Sequence, residues 1–123
     1  MDDEEVMVVG RSVRIWGTIK SELPVHVFGF VDGGVLAPRV TVEPQALVIG
    51  DIIAVSAMVY GHVQGNVFAD HLTLDGASSI EGEIHYAELA LKEGAYFGGK
   101  SRRDNAPRRF AARFSVYDHS EAM

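Results

Sequence analysis

The sequence predicts an all-β fold, a parallel β-helix of about six short coils, and three observations carry that reading. Glycines recur at positions 17, 33, 50, 65, 82 and 99, at gaps of 16, 17, 15, 17 and 17 residues. Two residues before them stand Ile15, Val31, Val48, Val63, Ile80 and Phe97, and two residues after the first five stand Ile19, Val35, Ile52, Val67 and Ile84. A spacing of two is the strand period, because successive side chains leave a strand on opposite faces. Third, a segment of this length cannot close a core alone. Stacked on its neighbours at about 4.8 Å, it places equivalent residues in ladders around one shared interior.

Taken in chain order, residues 1 to 5 form a short acidic tail, Met1, Asp2, Asp3, Glu4 and Glu5. Residues 6 to 16 carry a weak form of the alternation, with Val13 and Ile15 in phase with Gly17, and read as an incomplete first coil. Val25, Val27, Gly29, Val31 and Gly33 then match Ala57, Val59, Gly61, Val63 and Gly65 step for step. The longer segments repeat a second pair, Val40 with Val42, Leu72 with Leu74 and Leu89 with Leu91. Parity changes once per segment, as between Ala54 and Ala57, which marks a corner where the inward set is re-phased. The corner glycines Gly17, Gly33, Gly50, Gly65, Gly82 and Gly99 fall where a Cβ would crowd a turning backbone. Pro24, Pro38 and Pro44 lie at or near corners, where a missing amide donor is tolerated. The periodic domain is expected over residues 6–99. Residues 100–123 lose the period and are expected to be a basic, disordered tail.

Composition narrows the function classes. A chain of 123 residues holds one core, and 47% apolar with 23% charged residues is a globular balance. With no cysteine, thiol redox chemistry, disulfides and thiolate metal sites are excluded. The acidic start lacks the basic residues of a signal peptide, and no apolar run spans a bilayer, so the cytoplasm is the expected compartment. The net charge of -6 divides unevenly: residues 1–99 carry 5 basic and 14 acidic side chains, and residues 100–123 carry 6 and 3. An acidic body repels phosphate, so no nucleic-acid partner is expected.

Four histidines, His26, His62, His71 and His85, stand at different offsets in the repeat, so they are expected to face outward without converging on a metal. The enzymatic alternative is a β-helix of the hexapeptide acyltransferase or γ-carbonic anhydrase type. A strict six-residue period cannot be written through the chain, and Glu81 with Glu83 reads as the wet face of a strand. The glycines are interleaved with valines and not gathered before a helix, so no phosphate-binding loop is present. No catalytic residue, metal or cofactor is therefore assigned. The ends of the solenoid are more informative, since each exposes unpaired backbone and a cross-section of core. No amphipathic helical cap is apparent at either end. Tyr86, Leu89, Leu91, Tyr96 and Phe97 near the last coil, with Val13 and Ile15 near the first, are the candidate polymerisation contacts. In the tail, Arg102, Arg103, Arg108, Arg109 and Phe110, joined by Arg113 and Phe114, are the residues that can engage an acidic partner or an anionic lipid surface.

The run from GDI at 50–52 through VYGHVQGNV at 59–67, LTL at 72–74 and IEGEIHYAELALKEGAYFGGK at 80–100 to SRR resembles the bactofilins. The last part, a GEI-x-Y step followed by L-x-L, EGA and F-x-G, is the most specific, and the resemblance covers roughly residues 6–103. It implies a right-handed, three-sided β-helix that polymerises end to end without nucleotide into non-polar filaments. It also implies a bacterial cytoskeletal scaffold in cell shape and in localising wall-modifying or other proteins, at the inner face of the membrane where it is attached there. Phe97 matches the aromatic of the family's last coil, where a hydrophobic contact between subunits is implied. Two departures stand out: few residues precede the first coil, and Ser21, Glu22, Leu23 and Pro24 insert one residue in an early coil.

Overall fold

A computed structural model describes residues 5–104 and 106. Ten strands form one sheet wound into coils: β1 (Met7–Val9), β2 (Arg14–Lys20), β3 (Val25–Val27), β4 (Phe30–Leu36), β5 (Arg39–Val42), β6 (Leu47–Val59), β7 (His62–Gln64), β8 (Val67–Leu74), β9 (Ser79–Leu91) and β10 (Tyr96–Arg103). Every pairing is parallel and joins a strand to its equivalent one coil away. Each coil has three short sides. Residues 47–49, 52–54 and 56–59 pair in turn with 62–64, 67–69 and 71–74, and these with 79–81, 84–86 and 88–91. Backbone polar groups are thus satisfied between coils, which lets so short a segment repeat without a helix.

The register superposes the residues that the repeat aligned. Ile15, Val31, Val48, Val63, Ile80 and Phe97 form one inward ladder. Ile19, Val35, Ile52, Val67 and Ile84 form a second, and Val9, Val27, Val42, Val59, Leu74 and Leu91 a third. Twenty-two buried side chains from these and neighbouring positions make one continuous core. Valine dominates because a β-branched side chain fits a pleated wall and stacks on its copy above and below.

The corner glycines also stack: Gly17, Gly33 and Gly50 pair in register, as do Gly82 and Gly99, and Gly65 lies against Gly50 with Gly82 against it. At Gly82, φ is +144°, and a Cβ there would overlap the carbonyl oxygen of Gly65 in the coil before. Position and neighbour both demand glycine: the dihedral is one that L side chains rarely adopt, and no space exists for a methyl group. The Ser21–Pro24 insertion is absorbed by a local turn in which Leu23 N–H donates to Ser21 Oγ at 2.9 Å, while Met7 N–H still reaches the Pro24 carbonyl at 2.8 Å.

The periodic wall extends beyond the expected boundary at Gly99. Lys100, Ser101, Arg102 and Arg103 pair with Glu83, Ile84, His85 and Tyr86, so these four belong to the last strand and not to a tail. A terminal strand needs only one neighbour for its backbone bonds, so polar side chains do not prevent pairing. Arg103 is held further by its Nε donating to the Ala87 carbonyl at 3.2 Å.

Beside the glycine corner, Asn66 bridges two coils: its N–H donates to Asp51 Oδ1 at 3.2 Å, and its own Oδ1 accepts the Glu83 N–H at 3.1 Å. Desolvation pushes the Asp51 carboxyl above the ordinary carboxylate value, against the opposing effect of the Asn66 bond. The folded chain therefore binds the Asp51 proton more tightly than the unfolded chain. That contribution is fully present below the unfolded value and is lost as pH rises through the raised folded one. Asp51→Asn stays neutral and keeps an oxygen for the Asn66 N–H. It is expected to raise the melting midpoint by about 1–4 °C near pH 7 and to make no difference near pH 3, as read by thermal melts at both values. A variant less stable at neutral pH contradicts this sign.

Candidate polymerisation surface

The two ends of the ladders differ from their middles. Val31, Val48, Val63 and Ile80 are buried, while Ile15 and Phe97, first and last in the same ladder, are only partly buried against the core. Ile15 has a coil on one side only, and so has Phe97, which packs against Ile80 in the coil before. The exposed apolar side chains concentrate in the same places. Of eight large apolar residues exposed among the described residues, Val6, Val8, Val13 and Trp16 lie in the first coil and Leu91 and Tyr96 in the last. Leu23 and Val55 are the two elsewhere. Single exposed apolar residues are ordinary, but their gathering at both open ends of a solenoid leaves two apolar cross-sections facing water.

The structure places Leu89, Leu91, Tyr96 and Phe97 on the last coils, with Tyr86 half-buried on the neighbouring side. Leu89, Tyr86 and Phe97 pack on the core, whereas Leu91 and Tyr96 are 58% and 56% exposed, so the end is a mixture of anchored and free apolar surface. Val13 and Ile15 sit together at the opposite end, one just before β2 and the other within it. Sequence reasoning missed Val8 and Trp16. Trp16 is 66% exposed and meets Phe30 edge to face at 5.9 Å, with the Arg14 guanidinium 5.9 Å from the centre of the same ring. The available signal was an outward tryptophan on the first complete strand, where an aromatic has no need to be if the end is solvated.

The histidines stand apart. His26 Nδ1 pairs with Glu43 Oε2 at 2.9 Å, His71 Nδ1 with Glu88 Oε1 at 2.9 Å, and His85 Nε2 with Glu83 Oε1 at 3.1 Å. His62 lies on yet another side, in register with Leu47 and Ser79. No group of three or more potential metal ligands converges among the described residues. His85 is a correction to the expected wet face: it points away from the core yet is 3% exposed and stacks on Phe68, with ring centroids 4.7 Å apart and planes 15° apart. Arg102 and Arg103 lie in β10 and not in a tail. Arg108, Arg109 and Phe110 lie outside the described residues. No helix among the described residues is long and apolar enough to cross a membrane.

Comparison with known proteins agrees with this geometry. No curated protein matches the chain. A solved structure, described as the atomic structure of the cytoskeletal bactofilin BacA revealed by solid-state NMR, superposes with a TM-score of 0.71 at 29% identity, covering 82% of this chain and 97% of the other. A family model, bactofilin, described as polymer-forming cytoskeletal, matches residues 7–102. The match begins at the first residue of β1 and ends one residue before the end of β10, so it spans the coiled wall itself. The coiled wall is therefore that of a polymer-forming cytoskeletal protein, and the chain belongs to the bactofilin family.

Proposed function

We propose that this protein is a non-enzymatic scaffold that assembles end to end, without nucleotide or metal, into non-polar filaments in the cytoplasm. The ladder from Ile15 to Phe97 carries the reading, because it is buried in the middle and half-open at both ends. A second subunit offers what each end lacks: a strand edge for the unpaired backbone and an apolar section to cover the core. Joining like ends about two-fold axes yields a filament with no polarity, since successive junctions alternate between the two kinds. The scaffold then acts in cell shape and in localising partner proteins, including wall-modifying ones, along its sides. Burial of apolar surface drives the assembly, so no hydrolysis step is needed to form it.

Pure protein freed of ATP, GTP and divalent cations is expected to sediment as large species and to show filaments by negative-stain microscopy. A sharp monomer at every concentration and salt tested overturns the proposal. A closed trimer would move the reading to a β-helix enzyme with sites between subunits.

A further inference from the structure

On one side of the first three coils, outward rungs combine a cation with apolar groups. Arg14, Phe30 and Leu47 stand in register, one above another. Each precedes an inward residue, Ile15, Val31 or Val48, so strand alternation turns it to the outside of the wall. Together with Arg11, Phe28 and Gln45 from the adjoining turns, they line a groove of about 380 Å³. Sites of about 300 Å³ and upward seat a ligand or a large side chain. Trp16 borders it, edge to face on Phe30. The opening follows the side of the wall, so end-to-end assembly leaves it facing solvent.

Charge at this groove runs against the rest of the body. Residues 1–99 hold five basic side chains against fourteen acidic ones, and two of the five are Arg11 and Arg14. Both are exposed, and neither has a carboxylate within ion-pair distance among the described residues. The Arg14 guanidinium lies 5.9 Å from the centre of the Phe30 ring. A cation–π contact of this kind holds the group in place and leaves N–H donors free for a carboxylate. Asp32, two residues beyond Phe30 and in register with Trp16, repels anions on the other side of the ring, so a carboxylate is drawn toward the arginines.

Gln45 adds a second kind of observation. The turns 43–46 and 92–95 close alike, with Ala46 N–H donating to the Glu43 carbonyl at 3.0 Å and Ala95 N–H to the Lys92 carbonyl at 3.1 Å. Their third positions are Gln45, at φ +74°, and Gly94, at φ +98°. Left-handed backbone suits glycine, so Gln45 keeps its side chain there at a conformational cost. That side chain is exposed on the groove and makes no hydrogen bond with another described residue. Its amide both donates and accepts, as the backbone of an extended peptide requires.

We propose that this groove docks peptide segments of partner proteins in which a large aromatic or apolar side chain stands beside aspartate or glutamate. The apolar side chain enters against Phe28, Phe30 and Leu47, the carboxylate meets Arg11 and Arg14, and Gln45 holds the peptide backbone. An anionic bilayer fits less well, because the site is concave, holds only two cations and is set in a body whose acidic excess repels such a surface. The inference rests on the scaffold reading for its use in the cell, but the groove is complete in one chain, so binding and assembly are measured apart.

The test titrates the full chain with the tryptophan-free peptide acetyl-Gly-Glu-Asp-Phe-Asp-Glu-Gly-amide, which carries carboxylates on both sides of the ring. Trp16 is the one tryptophan of the chain, so its emission reports the groove directly. A saturable blue shift is expected, with the affinity read independently by isothermal calorimetry. Exchanging the four acidic residues of the peptide for lysine, or its phenylalanine for glycine, should weaken binding about tenfold or more. Arg11→Glu and Arg14→Glu should each weaken the acidic peptide to a similar degree. Gln45→Gly is expected to melt no lower than the unaltered chain, since glycine suits the dihedral, yet to bind the peptide several-fold more weakly. Circular dichroism and sedimentation confirm fold and assembly for each variant. No saturable shift, equal affinity for the lysine peptide, or unchanged affinity in both arginine variants overturns the proposal. Arginine-dependent binding to phosphatidylglycerol vesicles with none to the peptide assigns the groove to a membrane and overturns it as well. Filaments that ignore the peptide refute the groove alone, whereas peptide binding by a chain that never assembles refutes the filament reading alone.

Discussion

Val67→Asp is expected to unfold the middle of the solenoid, with loss of the cooperative melt at temperatures where the unaltered chain is folded. Val67 is fully buried between Ile52 and Ile84 in an inward ladder, and nothing in that apolar interior offers a carboxylate a donor or a cation. An unpaired buried charge costs several kcal/mol, a large share of the roughly 5–15 kcal/mol that holds a domain together. In a stack where each coil contacts only its neighbours, failure of one central coil also parts the coils on either side. Leu74→Asp, in the ladder between Val59 and Leu91, is expected to behave in the same way. Thr73→Asp is the matched control: Thr73 lies between Leu72 and Leu74 but faces outward and is only partly buried, so the cost stays below about 1 kcal/mol. Thermal melts of the three variants by circular dichroism decide the matter. Equal midpoints for Val67→Asp and Thr73→Asp would contradict the inward and outward assignment.

The contrast between those variants follows from what was legible in the sequence. The register could be read because two constraints repeat together: an apolar pair at strand spacing and a corner that admits only glycine. The alignment of Val25 and Val27 with Ala57 and Val59 is realised through Val40 and Val42, in coils stacked in register. Alternation tells which way a side chain points, but it says nothing of what lies over it, so His85 was expected on a wet face and is buried, stacked on Phe68. The same limit hid Trp16 and Val8, which point outward at an end where outward means toward a missing neighbour. Lys100–Arg103 were lost for a different reason. Backbone pairing to one neighbouring strand needs no apolar side chain, and Ser101 stands where the inward ladder would otherwise continue from Ile84.

Phe97→Arg is expected to stop filament growth while leaving the coils folded. In the polymer reading, the half-open ring of Phe97 is covered by the like end of a second subunit, and full burial of such a side chain contributes about 1.5–3 kcal/mol. A two-fold junction applies that gain twice and places two arginines face to face in the variant, so attraction is replaced by like-charge repulsion at one contact. The ladder below is little disturbed, because among the described residues Phe97 packs on Ile80 and the adjoining coil at the end of its ladder, and β10 keeps its backbone pairing to β9 from Tyr96 to Arg103. Leu91 and Tyr96 remain exposed at the same end, but a charge there keeps water at the junction. The other end, with Val13, Ile15 and Trp16, is untouched, so the expected product is a soluble dimer or small oligomer joined there. Analytical ultracentrifugation and electron microscopy read the size, and circular dichroism reads the fold. Long filaments from this variant would place the contact elsewhere on the molecule. Loss of the β signal would show that Phe97 serves the core of its own chain and that the junction is built by other residues.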